Sequence, residues 1–243
     1  MRVLAIIHQR DAGPGVFARA VAARGDVLEE WHPPEDPEPP RSDYHAVMVF
    51  GGAMNTHEHD GHPWLQREKA FLGELIETGM PLLGVCLGSQ LLAEAAGGAA
   101  QRATEPEIGW REITLEPAAA GDPVLGSMPD RFQSFQWHSY EAVAPAGATV
   151  LARTPVCSQA YRLEDRPVWG IQFHAEVTLE DAQSWIEGYR ADPDAAGIDP
   201  VAFAEQTRAA IGGSNEIGEA LCGRFLEHAA AARGAGIERA PLG

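Results

Sequence analysis

Residues 81–98 read PLLGVCLGSQLLAEAAGG, an apolar run that gives way to a helical pattern at a cysteine set between two glycines. "LLGVC" has the length and apolarity of a buried strand, and "SQLLAEAA" reads as a helix stopped by Gly97-Gly98. A strand that turns sharply into a helix around G-x-C-x-G lifts the central side chain out of the carboxyl edge of a sheet. Gly84 and Gly88 lack the Cβ atoms that would crowd so tight a corner. The new helix begins beneath the sulfur, so its N-terminal dipole favours a thiolate. The N–H of Leu87 is left free to receive an oxyanion. The alternative, a small core cysteine beside two turn glycines, leaves the glycines unexplained.

Working outward, "RVLAIIH" (2–8) and "YHAVMVF" (44–50) are further buried strands, each followed by turn residues. Between them lie a short helix near 15–24, a strand at 26–32 and the solvated loop "PPEDPEPPRSD", which holds five prolines and four acidic residues. Residues 63–78 begin with Pro63 and repeat Leu65, Phe71, Leu72, Leu75 and Ile76 on one helical face. Strand and helix alternating at this rhythm imply an α/β protein, with a parallel sheet covered by helices on both faces. The second half adds strand-like runs at 109–116, 148–154, 158–165 and 167–174, the last two joined as a hairpin. From Thr178 the pattern is helical, in three segments. We expect residues 1–190 to form one domain, with a helical extension over 191–243 packed upon it.

Composition narrows the function. The 243 residues are 45% hydrophobic and 22% charged, which fits a globular protein with a substantial core. The net charge of −17 disfavours nucleic acid or an anionic membrane as partner. Cys86, Cys157 and Cys222 are too few and too scattered for a disulfide framework or a cysteine-based zinc site, and a reduced, cytoplasmic setting is expected. The apolar start is too short for a signal peptide. No run approaches the roughly 20 apolar residues of a membrane span.

A thiol at neutral pH needs a base. Among nine histidines, His174 closes an apolar strand in "GIQFHAE". Residues i and i+2 of a strand face the same way, so His174 and Glu176 project together, as a base and the carboxylate that orients it. A strand-end surface histidine is the plainer reading; the cysteine corner in the same chain favours the pair. The Gly-Gly turn of "VMVFGGAMN" follows another buried strand and brings an N–H near Gly52 to the same sheet edge, where it could serve as a second oxyanion donor. An ordinary strand-ending turn explains that segment equally well. "THEHDGH" (56–62) has the histidine spacing of a zinc-binding H-x-H-x-D-H motif. Gly61 stands where the motif needs aspartate, so no metal site is expected there.

Together, "GVCLGSQLLAEAAGG", "FGGAMN", "EIGW", "WHSY" and "GIQFHAE", in this order and spacing, resemble the class I glutamine amidotransferases over roughly residues 40 to 180. The resemblance implies a flavodoxin-like, open and mostly parallel sheet. It also implies hydrolysis of a glutamine side-chain amide through a γ-glutamyl thioester. On that basis Cys86 is the nucleophile, His174 the base and then acid, and Glu176 its orienting partner. Gly52 and Leu87 form the oxyanion hole, and Gln90, Ser139 and Tyr140 hold the substrate's α-amino and carboxylate ends. Two departures stand out: Ala175 where the family usually has proline, and Ala53-Met54 where many members carry proline or glycine. The chain has no Walker-type loop and no dinucleotide fingerprint, so no cofactor is expected. Three activities remain open. A glutaminase subunit would supply ammonia to a separate synthetase partner, and a self-sufficient hydrolase would act on γ-glutamyl compounds. A binding or regulatory protein on the same fold would not turn over at all.

Overall fold

The computed structural model describes residues 1–188, 193–195 and 197–234. The strands are β1 (Arg2–Ile6), β2 (Val27–Trp31), β3 (Ala46–Val49), β4 (Leu82–Val85), β5 (Ala99–Leu115), β6 (Arg131–Val143), β7 (Ala148–Arg153), β8 (Ser158–Leu163) and β9 (Val168–Ile171). The α-helices are α1 (Gly15–Ala23), α2 (Trp64–Glu77), α3 (Leu87–Ala95), α4 (Leu179–Gly188) and α5 (Pro200–Gly234). The strands form one mixed sheet, ordered β2-β1-β3-β4-β9-β8-β7-β5-β6. The five strands from β2 to β9 are parallel. Beyond β9 every pairing is antiparallel.

Alternation along the parallel strands divides the core. Val3 and Ala5 of β1 and Ala46 and Met48 of β3 face a layer completed by α1 and α5. Leu4 and Ile6, with Val47 and Val49, face the opposite layer, completed by α2 and α3. Helix α5 belongs fully to this body. Its Leu221, Phe225 and Leu226 are completely buried, each burial stabilising by roughly 1.5–3 kcal/mol.

The order β2-β1-β3 reverses the chain's direction of travel across the sheet, and α/β proteins bind ligands at the carboxyl ends beside such a reversal. Here the carboxyl ends of β1, β3, β4 and β9 lie side by side. They carry, in that order, His8, the Gly51-Gly52 turn, Cys86 and His174.

Four elements differ from the sequence expectation. Strand β5 begins at Ala99, ten residues before the expected run at 109–116, and β9 ends at Ile171 rather than at 174. Strand β6 has no hydrophobic alternation because its inward residues include Ser134, Gln136 and His138, all buried. Helix α5 runs unbroken through Gly212 and Gly213, where two separate helices were expected. Buried side chains on both sides of the pair, Thr207 and Leu221 among them, hold it continuous; packing overrides propensity here. The helical reading of 178–190 corresponds to α4, which opens with a capping exchange. The Thr178 N–H donates to Asp181 Oδ2 at 2.9 Å, and the Asp181 N–H donates to Thr178 Oγ1 at 3.2 Å. Residues 189–192 and 235–243 of the expected helical segments lie outside the described residues.

Candidate active site

Cys86 stands between β4 and α3 with φ 52° and ψ −111°. Among the described residues no other non-glycine has a positive φ. Such a backbone costs on the order of 1–3 kcal/mol and persists only where its surroundings impose it. The Cys86 N–H donates to Ile171 O at 2.8 Å, and its carbonyl accepts from Ser89 Oγ at 2.8 Å and from the Gln90 N–H at 3.2 Å. Both flanking glycines are required by contact. A Cβ on Gly88 would lie 2.0 Å from Val49 O, and one on Gly84 would lie 2.6 Å from the Gly88 backbone.

The hydrogen bond from Cys86 to Ile171 aligns the ends of β4 and β9. Three residues on, His174 is pinned by its own N–H donating to Phe135 O at 2.8 Å. Its Nδ1 lies 2.7 Å from Glu176 Oε1, both side chains being buried. Burial depresses the imidazole pKa. The Glu176 carboxylate and the neighbouring Cys86 sulfur outweigh it and raise the pKa well above its ordinary value. Trp185 presents its ring edge-on to His174 at a centroid distance of 4.9 Å and keeps water from that side.

The loop bearing His174 and Glu176 is clamped between two helices. The Val16 N–H donates to Glu176 O at 2.8 Å, and a Cβ on Gly15 would sit 2.0 Å from that oxygen. On the other side Asn215 Nδ2 donates to Val177 O at 2.9 Å, and a Cβ on Gly218 would sit 2.0 Å from Ala175 O. The geometry of the pair is therefore set by α1 and α5 as much as by β9.

Cys86, Leu87, Gly52, Gln90, Ser139, Tyr140 and His174 line one cavity of about 250 Å³. Glu176 lies behind His174. A Cβ on Gly51 would come within 3.2 Å of His174 Cε1 and 3.7 Å of Cys86 Cβ, so the glycine turn directly abuts both side chains. Among the described residues, neither the Gly52 nor the Leu87 N–H has a backbone acceptor. Gln90 Nε2 donates to Tyr140 O at 3.0 Å and to Gln172 Oε1 at 3.3 Å, tying α3 to β6. The Ser139 hydroxyl hydrogen-bonds Asp194, which Arg102 Nη2 also holds, at 3.1 and 3.3 Å.

Arg102, Asp194, Trp137 and Trp185 line the cavity without having been anticipated. Arg102 and Asp194 sit 92 positions apart, and only the paired charges could have hinted at them.

The histidines of "THEHDGH" do not converge. His57 packs on the Tyr140 ring, His62 on Trp64, and Lys69 Nζ lies 3.4 Å from His59 Nε2, where it would repel a cation. Among the described residues, the set able to hold a metal is instead Glu107, His138 and Cys157, with ligand atoms within 4.8 Å of one another. Glu107 Oε2 already accepts from Gln159 Nε2 at 2.7 Å and from Thr154 Oγ1 at 3.0 Å. These bonds read as a hydrogen-bonded network behind the cavity wall.

If His174 supplies the proton in turnover, its raised pKa sets the alkaline limb of the rate profile. The imidazolium's stabilising interactions are fully present below the unfolded value of about 6.5. They are lost as pH rises through the higher folded value. Glu176→Gln removes the largest raising influence, so the alkaline limb of kcat should move to lower pH. A limb that stays in place would mean that His174 does not carry that proton.

Comparison with known proteins agrees with this geometry. The profile of the glutamine amidotransferase class-I family matches residues 17–187. The chain is 28% identical over 193 residues to the glutamine amidotransferase-like protein YfeJ of Salmonella typhimurium, covering 77% of this chain and 80% of that one. It is 33% identical over 121 residues to one of the subunits of the glutamine-hydrolyzing GMP synthase of Halobacterium salinarum, covering 49% of this chain and 65% of that one. A glutamine amidotransferase of Thermotoga maritima superposes with a TM-score of 0.84 at 27% identity, over 93% of this chain and 98% of the other. One from Methylobacillus flagellatus superposes with a TM-score of 0.82 at 25% identity, over 99% and 97%. With most of its length inside the family profile, the chain belongs to the class I glutamine amidotransferases.

Proposed function

We propose that the protein hydrolyses the side-chain amide of glutamine on Cys86 and passes the ammonia to an acceptor handled by a separate synthetase. The observation that carries this reading is the strained Cys86 corner sharing one cavity with the buried His174–Glu176 pair. An amide is a poor electrophile, and a covalent intermediate divides its hydrolysis into two easier steps. The Cys86 sulfur adds to the amide carbon, and the Gly52 and Leu87 N–H groups receive the negative charge on oxygen. His174, protonated and oriented by Glu176, gives its proton to the departing nitrogen, and ammonia leaves a γ-glutamyl thioester. His174 then takes a proton from water, whose oxygen attacks the thioester and frees glutamate and the thiol. Gln90, Ser139 and Tyr140 would hold the α-amino and carboxylate end of the substrate, Gln90 by its side-chain oxygen.

The likeness to the Halobacterium GMP synthase component supports the role of ammonia supplier. Among the described residues no helix is long and apolar enough to cross a membrane. A second reading, self-sufficient hydrolysis of γ-glutamyl amides or peptides, is favoured by the cavity wall beside His174. Ala12, Trp137 and Trp185 there could accept a leaving group larger than ammonia. Ammonia or amine release from free glutamine and from a panel of γ-glutamyl peptides and amines separates the two. Slow glutamine turnover and none of the panel is expected for a glutaminase that waits for its synthetase. Brisk turnover of a panel member would overturn that role in favour of the hydrolase.

A further inference from the structure

Beside the ends of β1 and β3 lies a buried ionisable pair, His8 after β1 and Glu68 of α2, that the chemistry above does not use. His8 and Glu68 have side chains with no exposure. His8 Nε2 lies 2.9 and 3.1 Å from the two Glu68 carboxylate oxygens. His8 Nδ1 lies 3.0 Å from Phe50 O and 3.1 Å from Gly51 O. Both atoms facing Nδ1 are carbonyl oxygens, which only accept, so Nδ1 must carry a hydrogen. This holds whether the proton shared with Glu68 rests on Nε2 or on the carboxyl. The ring cannot swing away, because it stacks on Trp64 at 5.3 Å with 12° between the planes. The next residue grips the same turn with opposite polarity: Gln9 Oε1 accepts the Ala53 N–H.

A trans peptide points its C=O and N–H in opposite directions, and among the described residues there is no cis bond. Holding Gly51 O against His8 therefore turns the Gly52 N–H away from His8, toward the side where Gly52 lines the cavity. The turn is two consecutive glycines, the residues that most readily exchange one backbone conformation for another. Flipping that peptide would replace a donor with a carbonyl oxygen beside Cys86. The contacts that exclude side chains here explain the need for glycine and the hazard it brings. A Cβ on Gly52 would meet Met54 Sδ at 2.6 Å and Leu87 Cδ2 at 3.0 Å.

We propose that His8, braced by Glu68, is a positioning residue that locks the Gly51–Gly52 peptide with its N–H toward the cavity. It touches no substrate and acts through the turn. The kinetic consequence rests on the Cys86 chemistry proposed above, whereas the peptide's orientation does not.

The test is the double variant H8L/E68L, which removes both members and leaves no buried charge unpaired. Its kcat should fall about 10²-fold, the loss associated with one oxyanion donor, with KM within about threefold. Alkylation of Cys86 by iodoacetamide, a displacement that builds no oxyanion, should stay near the wild-type rate. A crystal structure should show the Gly51–Gly52 peptide flipped or in two orientations. H8N/E68Q should recover much of the loss, because the asparagine amide nitrogen can take the place of Nδ1. H8Q/E68Q should not, because glutamine reaches toward the place of Nε2; this contrast serves if H8L/E68L does not fold. An unchanged kcat, equal activity of the asparagine and glutamine variants, or kcat and alkylation falling together would overturn the proposal. If the wild-type protein releases nothing from glutamine or any γ-glutamyl amide, the functional reading fails and the crystallographic orientation alone decides this one.

Discussion

Cys86→Ala is expected to lower ammonia release by roughly 10⁴-fold or more, the scale seen when a nucleophile acting as part of a unit is removed. The fold should survive, since alanine keeps the Cys86 Cβ in its buried place and the backbone supplies the corner. A second variant separates chemistry from strain. Alanine keeps a Cβ at φ 52°, whereas glycine adopts that conformation without steric cost, so Cys86→Gly should be about 1 kcal/mol more stable than Cys86→Ala. Ammonia assays and denaturant midpoints check both statements. Turnover persisting within tenfold in Cys86→Ala would sink the thioester route, and equal midpoints would mean that the corner stores no strain.

Gly218→Ala should be among the most damaging single-methyl changes away from the cavity. Its Cβ would fall 2.0 Å from Ala175 O, a backbone atom that cannot rotate aside. Either α5 lifts or the 174–177 loop shifts, at a cost of about 3 kcal/mol, the upper end of what overpacking usually exacts. A displacement of about 1 Å in that loop would carry His174 and Glu176 with it and lower kcat by roughly 10²-fold. Gly223→Ala on the same helix is the control. A Cβ there meets nothing within 4 Å, so the change should stabilise the helix by up to about 1 kcal/mol and leave kcat alone. Matching effects of the two substitutions would show that α5 does not fix the loop.

The parts of this molecule legible in the sequence are those where chemistry and backbone demand coincide. Gly84 and Gly88 announced the corner because no other residue fits against Val49 and Leu92. The strand period paired His174 with Glu176, but β9 ends at Ile171 and the two lie on the loop beyond it, where a bridge to Phe135 and the contact between their side chains hold them together. Strand β6 stayed hidden because a strand with Ser134, Gln136 and His138 turned inward shows no apolar rhythm, although its "WHSY" segment was singled out for function. The Arg102–Asp194 pair stayed hidden because long-range ion pairs leave no local trace. The importance of α5 was underestimated for a related reason. Its decisive residues are Asn215, which reaches a carbonyl, and Gly218, whose contribution is the side chain it lacks.

The clamp on the 174–177 loop also has a temporal meaning. A chain is made from its N-terminus, and early segments can fold before later ones exist. The residues of the strand-to-helix corner around Cys86 are all made by Ala95, well before synthesis reaches the end of α5. The outer jaw on the histidine and its carboxylate arrives only with residues 215 and 218. While synthesis runs from Ala95 to Asn215, the growing polypeptide carries the cysteine segment without the finished base beside it. Competence is thus deferred until α5 has been made and docks.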